Sequence, residues 1–434
     1  MELAEAKTRA AQHFAAGKVW EALRLFDAAL EAAPLDFECR IGVADCLAAL
    51  GYSGEAAAAL RETGFYALRS GHPLAAVVCA RVLESLGGDA DDILAALVTY
   101  YGSESELLER RAGRVSLPPA DTPVTAPPTG AADNGAAASK AASRAIHCTA
   151  DYAAYPDALH PIPLFSELSE AAFRRVLSTL VVHRLPTGSV VIREGEPGTS
   201  FYFVATGAVR VTSGQGEGRR DLAELSDGAV FGEMALISAQ PRSASVTVVR
   251  SADILEITRE SLSALAGELE AVASALHRFT KDRLLGNLLA TSPLFRPFSE
   301  TQKRELLRRF TSHDVGAGSD VIRQGEPSAG IFVLLSGGCD VIVAGETGTQ
   351  TVSRLGAGDI CGEMALLRGG GATATVRTTQ PTTLLFLARE YVERVVSGVP
   401  EIRAYLEALA DDRALDTRLA TAGMATGGDS PVLV

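Results

Sequence analysis

The sequence predicts a multidomain α+β protein, with an N-terminal α-helical repeat array followed by two antiparallel β jelly-roll barrels that are each flanked by helices. Three observations predict this class. Residues 1–111 are rich in Ala and Leu with helical periodicity, residues 115–150 are rich in Pro and Ala, and the remainder contains one pattern twice. Matched positions of the two copies, such as Gly207 and Gly337, keep a constant offset without a net insertion. Such agreement indicates two tandem copies of one domain.

The helical part carries small and apolar residues at a spacing that resembles the tetratricopeptide repeat, a helix-turn-helix unit about 34 residues long. The positions of that pattern are occupied by Gly17, Ala22, Phe26, Ala29 and Pro34. The first three positions recur one repeat length later, and the pattern then weakens. The resemblance implies a short helical array with a surface for an unknown protein partner. An ordinary Ala-rich helical bundle is the alternative.

A flexible Pro/Ala-rich linker is predicted after this array. No aromatic residue occurs between Tyr101 and Tyr152. Such a stretch buries too little apolar surface to offset its ordering entropy, so we expect the array to fold independently of the barrels. The predicted parts are a helical domain at 1–111, the linker at 112–158, barrels at 159–288 and 289–412, and a C-terminal tail at 413–434.

Each barrel copy contains runs of β-branched and aromatic residues interrupted by glycine. VIREGEP (191–197) matches VIRQGEP (321–327), and FGEMALISAQPRSASV (231–246) matches CGEMALLRGGGATATV (361–376). Such runs predict short antiparallel strands joined by tight turns. Helical patterns flank the strands of both copies, which is typical of a small barrel or jelly roll braced by helices.

Both copies resemble the cyclic nucleotide-binding domain, which the regulatory subunits of cyclic-AMP-dependent kinase, the bacterial catabolite activator protein and cyclic-nucleotide-gated channels share. The resemblance rests on the Gly-Glu-x-Ala-Leu cassette, the Pro-Arg-x-Ala that follows it in the first copy, and glycines at 195, 207 and 228. It implies cAMP or cGMP as the ligand and no cofactor. The implied ligand-binding residues are Gly232, Glu233, Met234, Ala235, Leu236, Arg242, Ser243 and Ala244.

The residue types suit that ligand. A cyclic nucleotide presents a phosphate anion, a ribose 2′-hydroxyl and an apolar base. Gly232 allows a close backbone approach, Glu233 is suited to accept a hydrogen bond from the hydroxyl, and Arg242 offers a planar fork of donors to the phosphate. An exposed Glu233–Arg242 ion pair is the alternative for each residue taken alone.

The second copy keeps the cassette and loses the arginine. Gly362, Glu363, Ala365, Leu366, Thr373 and Ala374 match the first copy, but Ala372 stands at the arginine position. Loss of a buried charged contact costs about 2–5 kcal/mol, so we predict a degenerate site. Arg368 is the nearby residue that could replace the cation, although Gly369, Gly370 and Gly371 offer nothing to hold it.

Composition excludes several classes of function. The net charge of −13 argues against nucleic acid as a partner. The six cysteines and seven histidines are dispersed, which favours reduced thiols and no metal site. The sequence contains no recognisable secretory signal, membrane span or catalytic motif, so we expect a cytoplasmic protein that does not act on a membrane and is not an enzyme.

The function predicted from these features is a non-catalytic cyclic nucleotide receptor, with cAMP preferred because nothing else in the predicted pocket asks for guanine. Nucleotide bound in the first barrel would reposition the helices at 261–290, as the family resemblance implies, and change the availability of a partner surface. Two alternatives remain. One is a cyclic-nucleotide-responsive transcription regulator, and the other is a structural protein with two non-binding barrels.

Overall fold

The computed structural model of the chain describes residues 1–127, 134–147, 155–214, 219–233, 241–242, 244–268, 270–345 and 348–425. Six helices form the N-terminal part, and their bounds are α1 Leu3–Ala15, α2 Val19–Ala32, α3 Phe37–Ala49, α4 Ser53–Arg69, α5 Pro73–Ser85 and α6 Asp91–Tyr101. The first two helix pairs start at Leu3 and Phe37, which are one predicted repeat length apart. The predicted helices are present, and their assignment to the tetratricopeptide family stays a prediction.

Glycine makes the tight turns inside these pairs possible. Gly17 lies between α1 and α2 with φ of 74°, and Gly51 lies between α3 and α4 with φ of 90°. Residues other than glycine rarely adopt this left-handed conformation. Gly42 serves a different purpose, because a Cβ atom there would lie 2.7 Å from the Phe26 ring. The spacing of small residues therefore reflects turns and close helix packing.

A seventh helix, α7 (Asn134–Ile146), lies inside the segment predicted to be a flexible linker. Its residues Ala138, Ala141, Ala142 and Ala145 are buried in the same core as α2 and α4. Arg40, which is only 1% exposed, donates from Nη1 to the carbonyl of Ala145 at 2.8 Å. The linker prediction is therefore corrected for these residues. Alanine is the best helix former, and its small side chain packs into a core that other helices supply.

The first barrel follows a short helix, α8 (Glu170–Leu177). Its strands form one antiparallel sheet in the order β1–β6–β3–β4, with β2 paired to β6 and β5 paired to β3. The strand bounds are β1 Val181–Leu185, β2 Val190–Ile192, β3 Ser200–Ser213, β4 Arg220–Ser226, β5 Val230–Phe231 and β6 Ser245–Thr258. Two helices follow, at Arg259–Glu268 and Glu270–Thr291.

The second barrel has eight strands rather than six, because two strands each stand in place of the long β3 and of the long β6. They form two four-stranded antiparallel sheets, β11–β10–β13–β8 and β12–β9–β14–β7. The strands are β7 Thr311–Val315, β8 Asp320–Ile322, β9 Gly330–Ser336, β10 Cys339–Gly345, β11 Gly348–Leu355, β12 Ile360–Cys361, β13 Thr375–Thr378 and β14 Thr382–Ala388. Its helices are Glu300–Leu307 before the strands, Glu363–Arg368 within the cassette, and Arg389–Gly398 and Pro400–Ala425 after the strands. The predicted helical region followed by two antiparallel β domains is confirmed.

The constant offset between the two copies is visible in individual backbone hydrogen bonds. The amide of Gly228 donates to Val204, and the amide of Gly358 donates to Leu334, both at 2.8 Å. At the sheet corner, the glycines at 207 and 337 both have positive φ, and a Cβ atom on either would lie within 2.4 Å of an oxygen atom. The two copies therefore share backbone contacts as well as amino-acid identities.

The chain separates into two compact units, Met1–Phe279 and Thr280–Val434. The first unit contains the helical region and the first barrel, which share a continuous apolar core that includes Phe201, Phe203 and Leu255 of the barrel, while other barrel residues such as Val204 and Ile254 form a second cluster. Arg184 of β1 joins the two parts, because its Nη1 lies 2.8 Å from Asp45 of α3 and its Nε lies 2.9 Å from Asp253 of β6. The expectation that the helical array is independent of the barrels is therefore corrected. No helix in the described part of the chain is long and apolar enough to span a membrane.

Candidate functional site

The first cassette begins at the end of β5, where the chain turns through Gly232. This residue has φ of 75°. A Cβ atom on it would lie 2.9 Å from Nη1 of Arg242 and 3.0 Å from Cδ1 of Ile192. Gly232 thus provides both the left-handed turn and the space that the Arg242 guanidinium occupies.

Arg242 is half-buried and is held by backbone oxygens. Its Nη1 donates to the carbonyl of Gly232 at 2.8 Å, and its Nη2 donates to the carbonyl of Ser200 at 2.7 Å. Its own amide donates to Glu196, and its carbonyl accepts from the amide of Gly195. The guanidinium is therefore positioned by the start of β3 and by the cassette itself.

The electrostatic surroundings of Arg242 combine burial with aromatic contact. Burial lowers its pKa, and the nearby Tyr202, Glu256 and Glu233 act in the opposite direction. Its Cζ lies 5.9 Å from the centroid of the Tyr202 ring, within the range of a cation–π interaction. Tyr202 in turn stacks on Phe231 at 5.2 Å. Arginine stays protonated in proteins, so this is a fixed positive charge.

Four of the residues predicted for the first site lie outside the described residues, namely Met234, Ala235, Leu236 and Ser243. Glu233 follows Gly232 directly and is partly exposed, and Ala244 is also partly exposed. The structure therefore places Gly232, Glu233, Arg242 and Ala244 at one end of the barrel, where β5 ends and β6 begins.

The second cassette repeats the described backbone features of the first without the arginine. Gly362 has φ of 93°, and the amide of Ala372 donates to Glu326 at 2.8 Å, as that of Arg242 does to Glu196. The carbonyl that corresponds to Ser200 belongs to Gly330, and it accepts the Ser328 hydroxyl at 2.6 Å. The carbonyl that matches the acceptor of Arg242 therefore accepts a hydrogen bond from a neutral side chain in the second copy.

Glu363 differs most from its counterpart, because it is only 2% exposed. Its Oε1 accepts a hydrogen bond from Nη1 of Arg413 at 2.8 Å, and the same nitrogen donates to the carbonyl of Ile360. Arg413 lies on the helix Pro400–Ala425. The predicted tail at 413–434 is thereby corrected for residues 413–425, which continue that helix.

The remaining residues of the second cassette line or border a small cavity. It measures about 60 Å³ and includes Glu363, Ala365, Thr373, Ala374, Cys361 and Arg413 in its wall. Leu366 lies on the same short helix and is half-buried. Ligand pockets generally measure about 300–1,000 Å³, so this cavity is far too small for a nucleotide. Arg368, the possible substitute cation, pairs instead with Asp411.

The comparisons with known proteins agree with this repeated geometry. Residues 182–268 and 313–398 each match the cyclic nucleotide-binding domain family. The chain contains two tandem cyclic nucleotide-binding domains. The two matches cover both barrels and leave the helical region outside.

Three relatives show how far the similarity extends. The cAMP-dependent protein kinase regulatory subunit of Blastocladiella emersonii is 27% identical over 241 residues, which is 55% of this chain and 58% of that protein. The cGMP-dependent protein kinase of Toxoplasma gondii is 25% identical over 58% of this chain and 24% of its own length. The cyclic nucleotide-gated potassium channel mll3241 of Mesorhizobium japonicum is 33% identical over 28% of this chain and 33% of its own length. The chain therefore aligns with little more than half the length of these relatives at most.

Sequence reasoning missed the residues that surround the two cassettes. Tyr202 and the carbonyl of Ser200 hold Arg242, but nothing in a β-strand pattern marks them as parts of a site. Arg413 had a weak signal, because EIRAYLEALADDRALDTRLA continues a helical apolar spacing without Gly or Pro. That spacing predicts a packed helix, and it does not predict which carboxylate the arginine reaches.

Proposed function

We propose that the chain is a non-catalytic receptor that binds one cyclic nucleotide, cAMP in preference to cGMP, in its first cyclic nucleotide-binding domain. The observation that carries the proposal is the half-buried guanidinium of Arg242 beside the left-handed Gly232. The matched position in the second domain is Ala372, so the proposal assigns one nucleotide to each chain.

The chemistry of the first site follows from its charge. A guanidinium has five N–H donors, and the two carbonyl contacts of Arg242 use two of them. The others would bind the exocyclic phosphate oxygens, with the contact strengthened by partial burial. Glu233 would accept the ribose 2′-hydroxyl, and Ser243 and Ala244 would add a hydroxyl and a backbone N–H to the phosphate.

Two observations support a regulatory role: relatives of this chain are named regulatory subunits, and residues at the start of β3 link Arg242 to the helix after the barrel. Ser200 holds Arg242 through its carbonyl, and the adjacent carbonyl of Thr199 accepts the amide of Arg259 at 2.7 Å. Arg259 starts the helix that follows the barrel. A bound phosphate that shifts the Arg242 guanidinium would also shift residues 199–200, and through them the start of this helix. The coupling requires a ligand that prefers one of two arrangements.

The proposed output is a change in a protein-binding surface, with the partner contacted through the helical region. In the first unit this region and the barrel share a core, so a rearrangement of the barrel has a physical route to the helices. Hydrogen exchange of residues 259–268 should change when nucleotide is added, while exchange of the second barrel, β7 to β14, should not.

Isothermal titration calorimetry of the full chain with cAMP and with cGMP tests the proposal. We expect a stoichiometry of one and a lower Kd for cAMP. A stoichiometry of two would assign a nucleotide to the second domain as well. Absence of heat and of any thermal shift with either nucleotide would favour the structural alternative, and a DNA shift assay at stated salt tests the transcription alternative.

A further inference from the structure

The second cassette holds a buried carboxylate whose described partner is an arginine of the C-terminal helix. Glu363 is 2% exposed, and its Oε1 lies 2.8 Å from Nη1 of Arg413. Burial of a carboxylate without a partner is strongly unfavourable. The retained glutamate of this cassette therefore depends on a cation that lies 50 residues further along the chain.

The helix Pro400–Ala425 is packed against this cassette along one face. Ile402, Leu406 and Ala410 are each at most 2% exposed, and their spacing of four places them on a single stripe. The helix contacts β10, β11 and the cassette helix Glu363–Arg368. Asp411 on the same helix pairs with Arg368, with both side chains exposed to solvent. The apolar stripe provides the packing, and Arg413 provides the polar contact that is aimed into the cassette.

The two hydrogen-bond donors that Glu363 could accept from, a nucleotide and Arg413, are chemically different. A nucleotide would offer a neutral ribose hydroxyl, whereas Arg413 offers a charged donor, and charge-assisted hydrogen bonds are roughly twice as strong as neutral ones. Arg413 also donates to the carbonyl of Ile360, next to the cassette. With the arginine in place, the remaining cavity of about 60 Å³ has room for little more than a few water molecules.

We propose that the second cassette is a docking site for the chain's own C-terminal helix, with Arg413 as the anchor and Glu363 as its receptor. The degenerate pocket has been converted from a small-molecule site into an intramolecular helix-binding site. This explains why the Gly-Glu-Met-Ala-Leu turn is kept after the phosphate contact has been lost. The inference goes beyond the proposed function and does not depend on nucleotide binding by the first domain.

Two native cysteines provide the test. Cys361 is 3% exposed and lines the cavity beside Glu363, whereas Cys339 is 1% exposed in the same apolar cluster and is not part of the cavity wall. The rate of N-ethylmaleimide labelling of each cysteine in the full chain is measured by peptide mass spectrometry. Arg413→Ala should raise the rate at Cys361 at least about tenfold, a change of about 1.4 kcal/mol in helix opening, and leave Cys339 protected.

A second variant and a matched control make the result decisive. Glu363→Gln keeps the shape of the receptor while removing its charge, so it should also raise labelling of Cys361. Asp411→Ala removes the exposed ion pair of the same helix and should leave both rates unchanged. Parental labelling of Cys361 in both test variants would overturn the proposal. Equal increases at Cys339 and Cys361 would also overturn it, because they would show loss of the whole barrel rather than release of the helix.

Discussion

In the first domain the cation beside the cassette is Arg242, ten residues after Gly232, whereas in the second it is Arg413, fifty residues after Glu363. The described backbone features of the two copies agree: both cassettes turn through a glycine of positive φ, and the amide of residue 242 or 372 donates to the carbonyl of residue 196 or 326. The difference shows that the fold of this cassette does not require its own arginine. Under the two proposals above, the same turn serves a ligand in one copy and a helix of the same chain in the other.

The helices that pack against the two barrels also differ. In the first unit, seven described helices of the N-terminal region share a core with the barrel. In the second unit, the long helix Pro400–Ala425 packs against the cassette through a narrow apolar stripe. Substitution of a charged residue should therefore affect nucleotide binding and stability differently in the two units.

The largest expected effect is loss of nucleotide binding in Arg242→Ala. Removing a charged, partly buried phosphate contact costs about 2–5 kcal/mol, which corresponds to a loss of affinity of roughly thirty-fold to several thousand-fold. Calorimetry on the full chain measures it. Arg210→Ala is the matched control, because Arg210 is an exposed cation of the same barrel that pairs with Asp221 and Glu224. Affinity within about threefold of the parent, less than about 1 kcal/mol, would show that Arg242 does not contact the phosphate.

The second prediction concerns pH and belongs to the first unit alone. His72 is 5% exposed, its Nε2 lies 2.8 Å from the carbonyl of Val115, and burial lowers its pKa to about 4. The unfolded chain binds a proton near pH 6.5 and the folded unit does not, so this contribution to stability is lost as pH falls from about 6.5 toward 4. Between pH 7.5 and pH 4.5 the loss attributable to His72 is about 2 kcal/mol.

The single tryptophan of the chain, Trp20, packs against the core of the first unit and reports its unfolding by fluorescence. Denaturant titrations at the two pH values compare the parent with His72→Gln, which keeps an N–H donor for Val115 and does not titrate. The difference between the two proteins isolates His72 from other groups, such as Glu38, whose pKa burial raises to about 7. Identical pH dependence in both proteins would show that His72 is not kept neutral by folding.

The smallest expected effect is a weak gain of nucleotide binding in the second domain. Ala372→Arg restores a cation at the position that matches Arg242. Arg413 would still be paired with Glu363, so the single variant should bind one nucleotide per chain. Combining it with Arg413→Ala should add a second, weaker site, at least about tenfold poorer than the first. Pairing Ala372→Arg with Gly371→Pro is unsuitable, because a Cβ atom at 371 would lie 2.3 Å from the carbonyl oxygen of Gly325.

The control for this experiment is Ala372→Arg combined with Asp411→Ala, which breaks the exposed pair and leaves the Arg413–Glu363 pair intact. The calorimetric stoichiometry should rise above one only in the variant that also lacks Arg413, and it should stay at one in the single variant and in the control. A second site in Ala372→Arg alone would mean that Arg413 does not obstruct the pocket. In that case the absence of an arginine at position 372 would be enough to explain why the second cassette does not bind a nucleotide.

The order of the parts and the repeated cassette follow from the amino-acid sequence without further information. The constant offset between matched residues predicted two equivalent barrels, and the recurring spacing of small residues predicted the helix pairs of the N-terminal region, because both patterns depend on neighbours in the chain. The sequence also predicted Gly232 and Arg242 as parts of one site. The structure joins them by a hydrogen bond across ten residues of sequence, and their role in nucleotide binding stays a prediction.

Which distant residues meet depends on the tertiary structure. The alanines of α7 looked too poor in apolar surface to fold, but they pack against α2 and α4, which lie much earlier in the chain, so their core is borrowed. Arg184 reaches Asp45, and Arg413 reaches Glu363, across 139 and 50 residues of sequence respectively. A charged residue carries no local mark of its partner, because the partner is set by how the elements pack. For that reason the pair between Arg413 and Glu363 could be identified only from the folded chain.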